Sequence, residues 1–213
     1  HLHRDGHEAF QLLVGGAGQQ RLGPALLLAL GVAVQQAAQG ADQRDASVTL
    51  APPFGSEPVP VARAPTRVAG VFWGDANNAV LEEAWYKTRA RRISRFDPSL
   101  PNAPLTTLYE GASDDRYGDP GDPLTTTNPQ GKPILDIRDG AVVFSAIGGT
   151  PEGDRPTVLT LSLADGARTE LWRSAADFYE APQALLADGR VLSRRESATV
   201  TPNFPLSDGP AVT

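Results

Sequence analysis

The sequence predicts an all-β fold, and three features of residues 47–213 indicate it. Short runs rich in Val, Leu, Thr and aromatic residues have the length of strands. Asp-Gly, Asn-Pro and Asp-Pro pairs, which are typical of hairpin turns, separate these runs. Turn glycines recur at 74, 131 and 189, and each interval holds about four strand candidates. Repeated four-stranded units are typical of propeller blades, although a β-sandwich also fits the pattern.

The individual strands follow from where turn residues interrupt the apolar runs. The run AVLEEAWYKTRARR, residues 79–92, consists largely of helix-forming residues. We nevertheless predict two strands there, because DANN before it and FDPSLP after it are typical of hairpin turns. The predicted strand regions are 68–74, 79–87, 91–96, 105–111, 133–137, 141–149, 157–166, 167–174 and the hairpin 183–197.

Residues 1–46 differ in composition and are predicted to lie outside the fold. All three histidines and seven of the nine glutamines precede residue 47. The run LGPALLLALGVAV, residues 22–34, is similar to the apolar part of a secretory signal and is too short to span a bilayer. A buried helix or out-of-frame translation would also explain it. The absence of Met, even at position 1, predicts a processed, excised or incomplete chain.

Composition argues against several classes of function. The chain has no Cys, which excludes disulfides, thiolate metal sites and a Cys nucleophile. Its net charge of −6 gives no electrostatic reason to expect nucleic acid. No phosphate-binding loop, dinucleotide fingerprint or zinc-ligand spacing occurs. We therefore predict no cofactor, no metal, no nucleic-acid partner and no membrane partner.

The segment SDDRYGDPGDP, residues 113–123, carries four carboxylates and is the one place where a metal site could be suspected. They belong to Asp114, Asp115, Asp119 and Asp122. A calcium loop of the EF-hand kind needs oxygen ligands at alternating positions, a central Gly and a distal Glu. Arg and Tyr stand here where ligands would be needed. We predict turns instead, in which Asp side chains accept hydrogen bonds from nearby backbone N–H groups.

Four motifs, in order and at compatible spacings, resemble one known family. They are WYKTR (85–89), DRYGDPGDP (115–123), TPEGDRP (150–156) and RRES (194–197). Residues 47 to about 205 resemble the β-propeller of prolyl oligopeptidase-family serine peptidases, and most of all the glutamyl endopeptidase-like branch. The resemblance implies a partial propeller of about three four-stranded blades, in which the Asp-rich loop connects strands or blades.

The resemblance also implies a function. In this family the propeller restricts access to an α/β-hydrolase domain, which supplies the catalytic Ser, Asp and His. Cleavage of peptides or unfolded segments after acidic residues is the implied specificity. The compartment, whether periplasmic, secreted or cytoplasmic, stays open.

We predict no catalytic residue in this chain. A Ser nucleophile needs a base, and the only histidines, His1, His3 and His7, precede the matched region. The nearest approach to G-x-S-x-G is GASDD at 111–115, whose fifth residue is Asp, so Ser113 is interpreted as a loop residue. Peptide hydrolysis would then need a hydrolase domain C-terminal to this chain. A free-standing binding module without catalysis is the alternative function.

A basic run beside two aromatic residues is the main candidate for ligand binding. Such a run can bind single-stranded nucleic acid. On strands, however, these residues divide between two faces, so we predict a hairpin with a charged outer face. A second hypothesis is that one or two of the arginines, or Arg194 or Arg195, face a chamber and attract acidic substrate side chains. The run consists of Lys87, Arg89, Arg91, Arg92 and Arg95, beside Trp85 and Tyr86.

Two smaller sets of residues complete the candidates. Glu152 and Asp154 could be a carboxylate pair for acid–base chemistry, but a turn with Arg155 pairing locally is predicted. The aromatic residues are predicted to pack within or between blades. They are Trp73, Trp85, Phe96, Tyr109, Trp172, Phe178 and Tyr179.

Overall fold

The computed structural model describes residues 32–35, 46–49, 59–176 and 178–207. Within these ranges all regular structure is β-strand, so no described helix could cross a membrane. In chain order the strands are β1 (Val32–Gln35), β2 (Ala46–Thr49), β3 (Val59–Arg63), β4 (Val68–Trp73), β5 (Ala79–Trp85), β6 (Ala90–Phe96), β7 (Thr106–Ala112), β8 (Asp122–Pro123), β9 (Thr125–Thr127), β10 (Pro133–Leu135), β11 (Ile137–Arg138), β12 (Ala141–Ala146), β13 (Gly149–Thr150), β14 (Gly153–Asp154), β15 (Thr157–Ser162), β16 (Arg168–Arg173), β17 (Tyr179–Leu185) and β18 (Val191–Glu196).

Four antiparallel sheets follow one another along the described chain. The first has the order β1-β2-β3, the second β4-β5-β6-β7, the third β11-β12-β15-β16, and the fourth β17-β18. The second sheet is an uninterrupted four-stranded meander. In the third sheet β8 also pairs with β12, beyond the end of β11, so two short strands share one edge of β12. Two hairpins, β9–β10 and β13–β14, are inserted between these strands.

The hairpin at 79–96, predicted from its flanking turn residues against its helix propensity, is confirmed. β5 and β6 pair from Ala79 opposite Phe96 to Trp85 opposite Ala90. The intervening turn places Arg89 at a φ of 59°, in the left-handed region. Tertiary burial decides the outcome, because alternate side chains of this hairpin enter two different cores.

Apolar clusters fill the spaces between successive sheets. Leu81 and Phe96 of the second sheet pack with Val61 and other residues of the first. From the opposite face of the second sheet, Val80 and Ile93 join a cluster with Phe144 and other residues of the third. A further cluster, with Val143, Val158, Trp172, Leu185 and Val191, lies between the third and fourth sheets. The second and third sheets are thus covered on both faces, unlike sheets of a two-layer sandwich.

This arrangement confirms the predicted all-β class and is consistent with a partial β-propeller. The inserted hairpins β9–β10 and β13–β14 lengthen the chain that connects the strands of the main sheets.

The predicted boundary at residue 46 stays a prediction. The interpretation of 1–46 as signal-like or out-of-frame sequence falls mostly on residues 1–31 and 36–45, which lie outside the described residues. Of that segment the structure describes β1, which pairs with β2 from Val32 opposite Thr49 to Gln35 opposite Ala46.

Candidate functional site

The Asp-rich loop is a set of hydrogen-bonded turns, as predicted. Oδ1 of Asp115 accepts hydrogen bonds from the backbone N–H groups of Tyr117 and Gly118, each at 3.0 Å. Oδ1 of Asp119 accepts one from the Gly121 N–H at 2.7 Å. The Asp119 N–H in turn donates to the Asp115 carbonyl at 3.0 Å. These carboxylates shape the backbone that enters the third sheet.

This loop also joins two sheets, because it runs from β7 in the second sheet to β8 in the third. Gly121 has a φ of 75°, and a side-chain Cβ there would overlap the carbonyl oxygen of Ser145 on β12. Arg168 on β16 donates to the Gly118 carbonyl at 2.9 Å. Across the described part of the chain, no three Asp, Glu, His or Cys residues lie together in a way that could hold a metal ion.

Arg91 forms hydrogen bonds and ion pairs within the fold. Its side chain is only 8% exposed and donates to Glu82 at 2.8 Å, to the Gly121 carbonyl at 2.9 Å, and to Asp119. Burial opposes its charge, but the hydrogen bond to Asp119 and the nearby carboxylate of Glu82 outweigh it and raise the pKa of Arg91. Arg91 therefore holds the Asp-rich loop to the second sheet and has no capacity left for a ligand.

Two other arginines of the basic run are also occupied. Arg92 donates to Glu110 at 2.8 Å. Arg95 donates to the Asn78 side chain at 2.8 Å and to the Asn77 carbonyl at 3.1 Å. Arg92 thus links β6 to β7, and Arg95 holds the turn before β5. Both contacts fit the predicted hairpin with a charged outer face.

Arg194 and Arg195, the other candidates for contact with acidic substrate, are paired within the fourth sheet. Arg194 donates to Glu196 at 2.7 Å. Arg195 donates to the buried Glu180, and its guanidinium carbon lies 4.7 Å from the ring centroid of Phe178. Arg195 and Glu180 both line a small cavity of about 210 Å³, so the positive charge of Arg195 there is already balanced by the Glu180 carboxylate.

An open depression remains at one end of the second sheet, and we call it the hairpin groove. It has a volume of about 710 Å³. In a meander, the start of β4, the end of β5, the start of β6 and the end of β7 all lie at the same end. The groove is therefore built from three chain segments. Its lining residues are Arg67, Ala84, Trp85, Tyr86, Lys87, Arg89 and Ser113.

Backbone hydrogen bonds fix the shape of this groove. The Thr88 N–H donates to the Trp85 carbonyl at 3.3 Å and closes the turn between β5 and β6. The Ser113 N–H donates to the Arg89 carbonyl at 2.7 Å, which ties the turn to the end of β7. Ser113 is exposed in a loop, as predicted. The Ala84 N–H donates to the Arg67 carbonyl at 3.1 Å, so Arg67 is also held in register.

The groove combines three cationic side chains with two aromatic rings. Lys87 is exposed and makes no hydrogen bond or ion pair within the described ranges. Nε of Arg89 lies 4.0 Å from Asp114, and both side chains are 65% exposed, so this pair is weak. Tyr86 is 75% exposed, and its ring centroid lies 6.2 Å from that of Trp85. Sequence reasoning singled out the hairpin but missed Arg67, whose only signal was its place opposite the end of β5.

The predicted turn at 150–156 is confirmed, but the partner of Arg155 is not. Glu152 is exposed in the β13–β14 turn, while Asp154 pairs with Arg116 of the Asp-rich loop. Arg155 does not pair locally; it donates twice to the carbonyl of Ser174, at 2.9 and 2.8 Å. The expectation failed because β15 and β16 bring position 174 alongside 155.

Most of the aromatic residues pack as predicted. Phe96 and Trp172 are buried, and Trp73 and Tyr109 pack against the clusters. Tyr179 departs from the prediction, since it is 45% exposed at the start of β17.

Comparison with known proteins gives a partial and distant similarity. No family profile matches the chain. Two curated proteins, both named probable glutamyl endopeptidase, chloroplastic, and found in Oryza sativa subsp. japonica and Arabidopsis thaliana, are each 26% identical over 172 residues. The match covers 73% of this chain and 18% of each relative, so the chain spans under a fifth of their length. This similarity supports a peptidase-related β-rich region.

Proposed function

We propose that this chain is a non-catalytic part of a larger serine peptidase, in which it gates and orients peptide substrate for a hydrolase domain. The observation that carries the proposal is the similarity to a limited region of two proteins named glutamyl endopeptidase. A region with this share of a peptidase's length is a part of the enzyme rather than the whole of it.

The side chains support a contacting role rather than a chemical one. Acyl transfer by a Ser nucleophile requires a base within hydrogen-bond reach, and His is the usual one. The described residues contain no His. Their ion pairs, such as those of the buried Arg91 and the partly exposed Arg195, connect strands and loops. The proposal therefore assigns the chemistry to the hydrolase domain.

The stacked sheets suit the gating role. A wall whose faces are buried against neighbouring sheets deforms little, and it excludes folded proteins by shape alone. In this proposal the loops at the strand ends would face the substrate, and the hairpin groove is an open basic depression among those loops. Extended or unfolded segments would reach such a groove, whereas folded domains would not.

Sequencing the coding DNA past Thr213 tests the proposal first. We expect a continuing reading frame that encodes a G-x-S-x-G elbow followed by Asp and His. The longer product should cleave peptides, and replacement of the elbow Ser by Ala should abolish cleavage. A stop codon directly after Thr213 would contradict the proposal, as would a longer product without peptidase activity. Either result would leave a free-standing binding module.

A further inference from the structure

We propose that the small cavity between the third and fourth sheets binds a free amino acid, with Arg195 holding its carboxylate and Glu180 holding its ammonium group. Ser193 and Arg195 follow Val191 at alternate positions of β18, so the three side chains share one face. Val191 belongs to the cluster between the third and fourth sheets, so this face is turned toward the third sheet. The inference stands apart from the proposed function, because it concerns neither peptide nor catalysis. The walls of the cavity include Trp172, Ala175, Glu180, Ser193, Arg195 and Leu206.

A pair of opposite charges forms one wall of the cavity. Glu180 on β17 lies opposite Arg195 on β18, and the Glu180 side chain is only 5% exposed. Nε of Arg195 donates to Glu180, whereas the N–H groups on its two terminal nitrogens donate to no described residue. The ring of Phe178, 4.7 Å from the guanidinium carbon, restricts the plane of that group. The terminal N–H groups can therefore donate to a ligand carboxylate in the geometry that Arg favours.

Two neutral donors also face the cavity. Trp172 and Ser193 are buried, yet the indole N–H and the hydroxyl form no hydrogen bond within the described part of the chain. The described side-chain atoms that lack both a partner and contact with solvent all belong to other residues. The indole N–H and the Ser193 hydroxyl therefore reach open space, and the cavity is the open space that both residues line. Because buried polar groups are almost always hydrogen-bonded in folded proteins, both donors call for an acceptor in the cavity.

The balance of charge selects a ligand with both signs. Among the described residues, Oε2 of Glu180 accepts one hydrogen bond, a long one of 3.4 Å from the Ala175 N–H, so it can also accept from a ligand ammonium group. A simple anion would be repelled by Glu180, and a simple cation would be repelled by Arg195. An amino acid carries both groups, and its net charge of zero matches that of the pair.

The size and the apolar part of the cavity favour a small amino acid. The volume of about 210 Å³ corresponds to roughly seven water molecules, which is too small for a peptide. Ala175 and Leu206 also line the cavity, and both are exposed, so an aliphatic side chain would contact them near the opening. L-Valine is therefore a suitable probe.

Isothermal titration calorimetry of the full 213-residue chain with L-valine tests the site. We expect one valine to bind per chain. Two analogues separate the charges, since valinamide lacks the carboxylate and isovalerate lacks the ammonium group. Each analogue should bind at least about tenfold more weakly than valine, because one charge of the Arg195–Glu180 pair stays unmatched.

The indole signals of a ¹⁵N-labelled sample locate the bound valine. The chain has three Trp residues, at positions 73, 85 and 172, and Trp172→Phe identifies the signal of Trp172. Valine should shift that signal and leave those of Trp73 and Trp85 in place, since Trp172 alone of the three lines the cavity.

Three variants test the assigned contacts. Ser193→Ala should weaken valine binding between about twofold and tenfold, which corresponds to one hydrogen bond. It leaves the Arg195–Glu180 pair intact, so it separates lost recognition from lost folding. Arg195→Gln should weaken binding at least about tenfold. Arg190→Gln is the matched control, because Arg190 is an exposed arginine of the same hairpin outside the cavity, and it should leave valine binding unchanged.

Three results would overturn the inference. Valinamide that binds as tightly as valine would assign the cavity to peptide N-termini. Equal affinity for valine and isovalerate would remove recognition of the ammonium group. No heat of binding and an unmoved Trp172 signal at high millimolar valine would mean that the cavity takes up water only. None of these results bears on the proposed function, which the reading frame and activity of the longer product decide.

Discussion

Replacing Gly121 with Ala probes how tightly the Asp-rich loop is seated on the third sheet. The residue has a φ of 75°, and an added Cβ would overlap the Ser145 carbonyl oxygen and lie 2.6 Å from the Ala146 Cα. Its own N–H donates to Asp119 at 2.7 Å, and its carbonyl accepts from Arg91 at 2.9 Å. The loop cannot move away from β12 without disturbing both hydrogen bonds.

The magnitude follows from these contacts. A left-handed conformation costs Ala about 1–2 kcal/mol relative to Gly. Hydrogen bonds that involve a charged partner contribute about 1.5–3 kcal/mol each, and the displaced loop would weaken both without losing them completely. We therefore expect the free energy of unfolding to fall by about 3–5 kcal/mol in Gly121→Ala, which is in the upper range for single substitutions.

Urea unfolding followed by tryptophan fluorescence measures this loss, and Gly131→Ala provides the control. Gly131 has the same φ of 75°, but a Cβ there would meet nothing within 4 Å. Its substitution should cost only the backbone term of about 1–2 kcal/mol. If both variants lost the same stability with unchanged m-values, the close approach of Gly121 to β12 would have no energetic weight, and the reasoning would be refuted.

Three further predictions concern charged and ionisable groups. Arg91→Met should lower the free energy of unfolding by about 3–5 kcal/mol, since it leaves buried carboxylates unpaired. Arg190→Met, at an exposed ion pair, should lower it far less. Similar losses in the two variants would contradict the structural role of Arg91. Partial burial opposes ionisation of Asp97, but the hydroxyl and N–H of Ser99 donate to its carboxylate and hold its pKa below the usual value. The stabilisation from the ionised Asp97 is therefore complete above the unfolded-state pKa of about 4 and is lost as pH falls through the folded-state pKa. Asp97→Ala should reduce the loss of unfolding free energy at acid pH. An unchanged acid dependence would argue against this linkage. Burial, with nearby aspartates adding to it, raises the pKa of Tyr109. Absorbance at 295 nm should therefore show an ionisation displaced upward from the usual tyrosine value. This ionisation should disappear in Tyr109→Phe, and its persistence there would assign it elsewhere.

The sequence predicted strands correctly where turn residues and the pattern of buried side chains agreed. The β5–β6 hairpin was predictable because turn residues flank it on both sides, and its alternate side chains enter two cores. The split edge of the third sheet was not predictable. β8 and β11 are two residues long each, and so short a strand carries no periodicity to detect. Their pairing is set by β12, which both contact.

The candidate site shows the same division. The sequence located a basic, aromatic hairpin but could not separate the cations that stabilise the fold from those that face solvent. That distinction depends on long-range partners. Arg91 donates a hydrogen bond to Asp119, 28 residues away, whereas the Lys87 side chain forms no hydrogen bond or ion pair with the described residues. Arg67 joins the groove only because strand register places it beside the end of β5. Composition and spacing carry no information on either contact.

The burial of the second and third sheets on both faces has a consequence for how the chain opens. When each sheet contacts only its neighbours in the stack, stability is a sum of sheet terms and interface terms. Opening an inner sheet breaks two interfaces at once, whereas an outer hairpin can fray by breaking one. Amide hydrogens of β5 and β12 should therefore exchange with deuterium late and at similar rates. Amide hydrogens of β17 and β18 should exchange early, because these strands join the other sheets only through the cluster around Trp172. The protein would then melt from the outer sheet inward, with an interior that opens cooperatively.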